Sequence, residues 1–235
     1  MSRASNWDTQ AKVWGATELH DSRHDGMSRE VRKGMTALLQ RLCPRGKILD
    51  VGGYRGLQVE GLANLERSVC VHDLSLPALR EARARVSLAT FGDIHRLPYA
   101  AHSVDLVLLS HVLEHSPEPG ELLGAIRQVL KPEGTLVVVV PNMASLGQIW
   151  KLIRHGDVKP AGNPPWSPPE HLHQFTLVNA SKFLADEGWQ LVHAEGDILD
   201  FPLLRKTGTY ALAARLGRWW TRRAESLVLV CRSRG

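Results

Sequence analysis

The stretch ILDVGGYRG, residues 48–56, decides the fold of this 235-residue chain. The segment ILDV predicts a buried strand, and Gly52, Gly53 and Gly56 follow where that strand ends. Glycine lets the backbone turn sharply and approach a ligand closely at the carboxyl end of a strand. The stretch therefore predicts a strand followed by a ligand-binding turn, although a tight turn without a ligand would use the same residues.

Strand and helix patterns alternate on either side of this stretch. Further strands are predicted at 68–73, 88–93, 102–110, 135–142, 189–196 and 225–232. Helices are predicted at 27–42, 74–86, 117–130 and 177–188. Apolar strands separated by helices are typical of a parallel sheet that is covered on both faces. We expect an α/β fold of the Rossmann-like type, with a seven-stranded, mostly parallel sheet.

Two segments interrupt this alternation within what we expect to be a single domain, residues 1–235. Residues 1–26 are polar, and residues 143–175 contain five prolines between positions 160 and 169. We expect the first to form a cap and the second a lid-like insertion. Three tryptophans of these segments are expected to form apolar walls of an acceptor site: Trp7, Trp14 and Trp166.

Composition limits the partners and the compartment. Hydrophobic residues make up 43% and charged residues 23%, which is typical of a globular protein, and the net charge of +5 is a mild basic excess. Much of that excess lies near the C-terminus, so we expect no nucleic-acid partner. Three widely spaced cysteines, no signal-peptide pattern and no apolar run of about 18 residues predict a cytoplasmic protein without a membrane span. We expect a monomer or a homodimer.

One basic, aromatic segment leaves an alternative open. Residues 210–223, YALAARLGRWWTRR, could contact a membrane surface or an acidic partner. A solvated helix with tryptophans packed on the sheet fits the segment equally well.

Acidic residues follow two successive predicted strands and indicate the cofactor. Asp73, about 20 residues after the turn, could accept both ribose hydroxyls of NAD or of S-adenosylmethionine. Val51 stands where a GxGxxG motif would begin, which argues against NAD, and Asp93 could accept from an adenine amino group. An acid-lined site suits the sulfonium cation of S-adenosylmethionine, and Asp50 adds charge near its amino end. Both strand-end acids could instead be surface residues.

Several motifs together resemble the class I S-adenosylmethionine-dependent methyltransferases of the small-molecule type. They are ILDVGGYRG, VHDLS, GDIHRLPYAAHSVDLVLLSHVLEH, LKPEGTLVVVVPN and EHLHQFT, in family order across residues 45–195. The resemblance implies a sheet with an antiparallel last strand and methyl transfer from S-adenosylmethionine to a small-molecule acceptor. It implies cofactor contacts by Asp50, Gly52, Gly53 and Gly56 at the methionine part, Asp73 and Leu74 at the ribose, Asp93 and Ile94 at adenine, and Ser110 and His111 at the pocket edge.

One residue departs from the family pattern. Tyr54 stands where the family usually has glycine, so its side chain must point away from the ligand or cover it. A non-catalytic S-adenosylmethionine-binding protein is therefore an alternative. An NAD-dependent oxidoreductase and an RNA methyltransferase are less favoured alternatives.

Three histidines are candidates for a catalytic base: His111, His171 and His173. They are predicted at the carboxyl edge of the sheet, and the pKa of histidine lies near neutrality. A helix-cap role for His111 and a local structural role for the other two are the alternatives. The HxH pair could suggest a metal, but no third ligand is spaced nearby, so we expect none.

The acceptor is indicated only by class. An O, N or C nucleophile on a hydrophobic or aromatic molecule, such as a quinone or another secondary metabolite, fits the predicted tryptophan walls. The sequence NPPW, residues 163–166, resembles a motif of methyltransferases that act on nucleobase or glutamine amides. In those methyltransferases the motif follows the fourth strand, whereas in this chain NPPW follows the fifth predicted strand. We therefore expect a rigid proline loop.

Overall fold

Seven strands form one sheet in the computed structural model, which describes residues 25–156, 171–199 and 209–234. They are β1 (Gly46–Val51), β2 (Arg67–Asp73), β3 (Leu88–Phe91), β4 (Val104–Ser110), β5 (Leu130–Pro141), β6 (Trp189–Gly196) and β7 (Ser226–Ser233). Their spatial order is β3-β2-β1-β4-β5-β7-β6. The first five are parallel, and β7 lies antiparallel between β5 and β6. The predicted fold class is confirmed.

Six helices accompany the sheet in the described residues. They are α1 (Asp25–Leu42), α2 (Leu76–Ala82), α3 (Pro119–Val129), α4 (Leu146–His155), α5 (Leu177–Asp186) and α6 (Tyr210–Trp219). Single 3-10 turns lie at Leu113–His115 and Thr221–Arg223.

The core lies on both faces of the sheet because strand side chains alternate. In β1, Ile48 packs in a cluster with residues of α1 and α2, whereas Leu49 packs in a second cluster with residues of α3 and α5. Both side chains are fully buried. A strand that is apolar on both faces is typical of parallel sheets covered by helices.

Helix α4 is a feature that the sequence analysis did not predict. It lies inside the expected insertion, residues 143–175, where the prolines suggested irregular backbone. The Ser145 hydroxyl accepts a hydrogen bond from the backbone N–H of Gln148, and Gly156 ends the helix in a left-handed conformation. These are ordinary helix ends, and the five prolines of the segment lie outside the described residues.

Some predicted features lie outside the described residues. They are the cap up to residue 24, the NPPW motif, and the three tryptophans expected as acceptor walls: Trp7, Trp14 and Trp166. Among the described helices, none is long and apolar enough to cross a bilayer.

The sheet reverses its strand order at β1, which pairs with β2 on one side and with β4 on the other. Val51 lies opposite His72 of β2 and opposite Leu109 of β4, so the carboxyl ends of the three strands meet. Crevices at such a reversal point are where open α/β sheets bind ligands. Three predicted site residues lie at these strand ends: Asp50 on β1, Asp73 on β2 and Ser110 on β4.

Candidate active site

The glycine turn after β1 is closed by neighbouring side chains that leave no room for a larger residue. Gly52 has φ +71°, and its N–H donates to the His72 carbonyl over 2.7 Å. A Cβ at Gly52 would lie 2.5 Å from Val112 Cγ2. A Cβ at Gly53 would lie 2.4 Å from Asp50 Oδ2. The glycines therefore let the turn lie directly against Asp50 and the end of β4.

Tyr54, the departure from the family pattern, fits the turn through an unusual backbone conformation. Its φ is +49°, in the left-handed region that costs a non-glycine residue about 1–2 kcal/mol. Its N–H donates to Asp73 Oδ2 over 2.9 Å, and the Arg55 guanidinium lies 5.3 Å from the centre of its ring. The turn thus keeps its hydrogen bond to β2 with a tyrosine in this place.

Asp73 lies at the end of β2, beside the turn. Its Oδ2 accepts from Tyr54 N–H, and its Oδ1 accepts from Ser75 N–H over 2.7 Å. Burial raises the pKa of this carboxyl, and the backbone donors partly offset that rise. Each oxygen can accept a further hydrogen bond, so the carboxylate can still receive ligand hydroxyls.

Asp50 is the unpaired charge of the site. Its side chain is 0% exposed, and neither carboxylate oxygen has a hydrogen-bond partner in the described residues. Burial, and then the charge of Asp73, raise the pKa of Asp50 to about 7. Buried charges in proteins are normally paired. The ammonium and sulfonium groups of S-adenosylmethionine would supply the missing positive charge, so these residues fit the predicted cofactor.

The raised pKa of Asp50 predicts a pH-dependent stability of the ligand-free protein. A carboxyl group with a folded pKa above its unfolded value stabilises fully below the unfolded pKa, and this contribution is lost as the pH rises through the folded pKa. Between pH 3.8 and about pH 7, the unfolding free energy of the protein therefore falls by about 4 kcal/mol. Urea unfolding of the wild type and of Asp50→Asn across this pH range measures the effect. As the pH rises, the unfolding free energy of the wild type should fall by this amount relative to that of the variant. Parallel pH profiles would contradict the assignment.

Two histidines that the sequence analysis did not single out hold Asp93 in place. The Asp93 Oδ1 accepts from the N–H of His95 over 2.9 Å and lies 3.0 Å from His95 Nδ1. The fully buried His72 contacts the Asp93 carbonyl through Nε2 and Thr90 Oγ1 through Nδ1. Burial lowers the pKa of His72, which favours the neutral ring. The sequence hint of this contact is that His95 follows Asp93 by two residues.

His111 follows β4 and pairs with a buried acid. It has φ +56°, and its Nδ1 lies 3.2 Å from Oε1 of Glu114, which is 1% exposed. The His111 side chain is 43% exposed at the edge of the site. The surrounding protein lowers the pKa of His111, but the hydrogen bond and charge of Glu114, with the charges of Asp197 and Glu225, raise it overall. A carboxylate that orients an imidazole is the arrangement of a general base.

The other two candidate histidines have different neighbours. His173 Nε2 lies 2.9 Å from the Ser116 carbonyl and donates to it. The His171 ring lies 4.8 Å from the His115 ring, beside Glu114. The structure therefore groups His111 and His171 around one carboxylate, whereas one nitrogen of His173 is used to hold the backbone.

A small cavity next to His111 extends toward α1 and β6. Six of its lining residues are Met35, Gln58, Ser110, His111, Glu195 and Asp197. Asp197 Oδ1 accepts from Ile198 N–H over 2.6 Å and from Ser226 N–H over 2.8 Å. Burial raises the pKa of Asp197, with the backbone donors opposing the rise. The cavity thus combines an apolar wall with a carboxyl group that faces the candidate base.

A family comparison agrees with this geometry. The sequence model described as a methyltransferase domain matches residues 49–138, which run from the glycine-turn strand into β5. Residues 49–138 therefore match a methyltransferase domain, in agreement with the resemblance to the class I S-adenosylmethionine-dependent methyltransferases. The predicted family resemblance is confirmed, and S-adenosylmethionine is the cofactor of this class, as predicted.

Relatives of the methyltransferase domain include two enzymes named for quinone biosynthesis. Demethylmenaquinone methyltransferase of Renibacterium salmoninarum is 35% identical over 147 residues, which cover 59% of this chain and 62% of that protein. The mitochondrial ubiquinone biosynthesis O-methyltransferase of Schizosaccharomyces pombe is 31% identical, covering 63% of this chain and 58% of that protein. The chain therefore spans about three fifths of the length of these relatives.

Solved structures share the fold of the methyltransferase domain at low sequence identity. The 1,6-didemethyltoxoflavin-N1-methyltransferase of Burkholderia thailandensis superposes with a TM-score of 0.65 at 16% identity, over 100% of this chain and 92% of that one. The magnesium protoporphyrin IX methyltransferase of Synechocystis superposes with a TM-score of 0.61 at 14% identity, over 98% and 95%. Both structures contain S-adenosylhomocysteine.

Proposed function

We propose that this protein transfers a methyl group from S-adenosylmethionine to a hydroxyl group of a small aromatic acceptor of the quinone or phenol class. The proposal rests on the position of two features of the site relative to each other. The acid-lined glycine turn and the His111–Glu114 pair lie at the same edge of the sheet, where β1 and β4 end side by side. A cofactor bound at the turn would lie next to a base.

The geometry of the turn supports the cofactor-binding roles that we propose. S-adenosylmethionine supplies an electrophilic methyl group on a positively charged sulfur. We assign the cationic amino-acid end to Asp50 and the glycines, and the ribose hydroxyls to Asp73 with Leu74 alongside. We assign adenine to Asp93 and Ile94, and the pocket edge to Ser110 and His111.

The acceptor side requires orientation and a place for one proton. Holding two reactants in line can contribute about 7–11 kcal/mol to a displacement reaction. We assign the acceptor to the sheet edge beside His111, where the imidazole would take the hydroxyl proton at Nε2 while Glu114 holds Nδ1. The names of the two relatives support a quinone-related acceptor, and His171 and His173 are the other candidate bases.

The remaining features of the proposal concern the surroundings of the site. We propose residues 1–26 as a cap and residues 143–175 as a lid; the described part of the lid exposes Ile153 to 74% on α4. Cys43, Cys70 and Cys231 are free thiols, which supports a reducing, cytoplasmic location. We also propose that the protein is a monomer or a homodimer. Helix α6 would make peripheral contact with a membrane surface.

The acceptor class can be tested by measuring S-adenosylhomocysteine formation with a panel of acceptors. We expect turnover with catechols, phenols or hydroxyquinones, and none with amines or carboxylic acids of similar size. Turnover confined to amines or carboxylic acids would refute the acceptor class. Binding of S-adenosylmethionine without turnover on any acceptor would favour the non-catalytic alternative.

A further inference from the structure

A tightly held corner lies next to the proposed acceptor site. The N–H groups of Leu172 and His173 both donate to the carbonyl of Glu114, over 2.8 and 3.1 Å. The His173 ring donates to the carbonyl of Ser116. The backbone before α5 is thereby fixed against the 3-10 turn after β4, and this brings His171 beside His115.

Three side chains of this corner present metal-binding atoms to one another. One carboxylate oxygen of Glu114 and one ring nitrogen each of His115 and His171 all lie within 4.8 Å of one another. The His115 Nε2 is 3.9 Å from Glu114 Oε1. Ligand atoms around a tetrahedral zinc ion are about 3.3 Å apart, so the side chains need to close by at most about 1.5 Å.

The buried carboxylate gives an independent reason to expect a cation. Glu114 is 1% exposed, and its Oε2 has no hydrogen-bond partner in the part of the chain that the structure describes. Its Oε1 is shared with His111. A buried carboxylate oxygen without a partner is unfavourable unless a cation or a donor satisfies it, and buried charges commonly coordinate metals.

We propose that Glu114, His115 and His171 form a binding site for a divalent transition metal of the zinc type. Two imidazoles and one carboxylate are the protein ligands of many catalytic zinc sites, in which the fourth position is left for a water or a substrate oxygen. Sequence spacing predicts no such site, because Glu114 and His115 are far from His171 along the chain. The fold supplies the missing ligands.

This site deepens the proposed function and rests on it for its chemical role. A zinc-type ion lowers the pKa of an oxygen ligand without changing its own oxidation state. An acceptor hydroxyl directed there would lose its proton to His111 or to solvent. Its oxygen would then form the new O–C bond as the C–S bond breaks, with the electron pair leaving on sulfur. The site would select oxygen acceptors that can coordinate a metal.

Metal binding can be measured on the full chain without cofactor or acceptor. After chelator treatment and dialysis against Zn²⁺, we expect the wild type to retain one equivalent. His171→Ala and Glu114→Gln should weaken zinc binding by at least about 10–100-fold, the loss typical of disturbing metal-site residues. The control is His193→Ala, an exposed histidine paired with Glu195 on β6, which should bind zinc as the wild type does.

Cobalt substitution gives a second readout that reports geometry. Bound Co²⁺ should give the intense visible absorption of a four-coordinate site in the wild type and in His193→Ala, and not in His171→Ala. If circular dichroism shows that His171→Ala is unfolded, His171→Gln replaces it. Wild-type protein without stoichiometric zinc, or equal zinc affinity in the His171 variants, would overturn the site. Failure of the proposed function would instead appear as lost S-adenosylmethionine binding with zinc binding intact.

Discussion

Replacing Asp73 by alanine is expected to abolish detectable binding of S-adenosylmethionine. The carboxylate holds the glycine turn through Tyr54 N–H and is assigned the two ribose hydroxyls. Hydrogen bonds to a charged group contribute about 1.5–3 kcal/mol each, so losing two of them should weaken binding by about 10²–10⁴-fold. In a thermal melt, ligand at 100 times the wild-type dissociation constant stabilises the wild type by about 2.7 kcal/mol, and the variant should show almost none of this.

Asp105→Ala is the matched control for this variant. Asp105 also accepts from a backbone N–H at one end of β1, that of Lys47 over 2.8 Å, but it lies at the amino end of the strand. We expect Asp105→Ala to lower the melting temperature of the free protein and to keep the full shift with S-adenosylmethionine. A preserved ligand shift in Asp73→Ala would show that the ribose is held elsewhere.

Replacing His111 by asparagine is expected to lower kcat by about 10²–10⁴-fold, the usual contribution of a positioned general base. Asparagine tolerates the left-handed backbone that His111 adopts, so the turn after β4 should stay intact. Because His111 is also assigned to the pocket edge, the dissociation constant of S-adenosylmethionine is measured as well, and its change should be small beside the fall in kcat. Single-turnover kinetics with saturating cofactor measure the chemical step directly.

The control is His102→Asn, which changes a second histidine of the same conformation. His102 has φ +53°, and its ring nitrogen Nδ1 contacts the Leu130 carbonyl near the amino end of β4, away from the cofactor edge. Its kcat should stay close to that of the wild type, because the His102 ring lies away from the cofactor edge. A His111 variant as active as the His102 variant would remove His111 as the base.

The sheet could be predicted from the sequence because its signals are local. The strand β6 begins and ends where its apolar pattern predicts, at Trp189 and Gly196. Helix α2 is shorter than predicted, because the N–H groups of Arg85 and Val86 turn back to the carbonyl of Ala82. Strand β5 begins five residues earlier than predicted, and its pairing with β4 is irregular there. Local turn hydrogen bonds set the end of α2, and pairing with β4 sets the start of β5; sequence periodicity reports neither.

The site was predictable only where its residues lie at a strand end. Asp50 and Asp73 lie at the ends of strands that the pattern predicts, and parallel strands bring such ends together. The side chain of Glu114 could not be assigned, because its role depends on the backbone of residues 171–173 folding onto its carbonyl. Likewise, the conformation of Tyr54 depends on the Asp73 carboxylate, 19 residues away. Long-range contacts of this kind carry no local sequence signal.

The most direct test is a thermal melt with S-adenosylmethionine, S-adenosylhomocysteine and NAD on the wild type, Gly53→Ala and Gly124→Ala. The Cβ of Gly53→Ala would strike Asp50, whereas a Cβ at Gly124, on α3, meets nothing within 4 Å. We predict that the first two ligands stabilise the wild type and Gly124→Ala, that Gly53→Ala loses this shift, and that NAD has no effect. Stabilisation by NAD alone, or an unchanged S-adenosylmethionine shift in Gly53→Ala, would contradict the assignment of the cofactor to this turn.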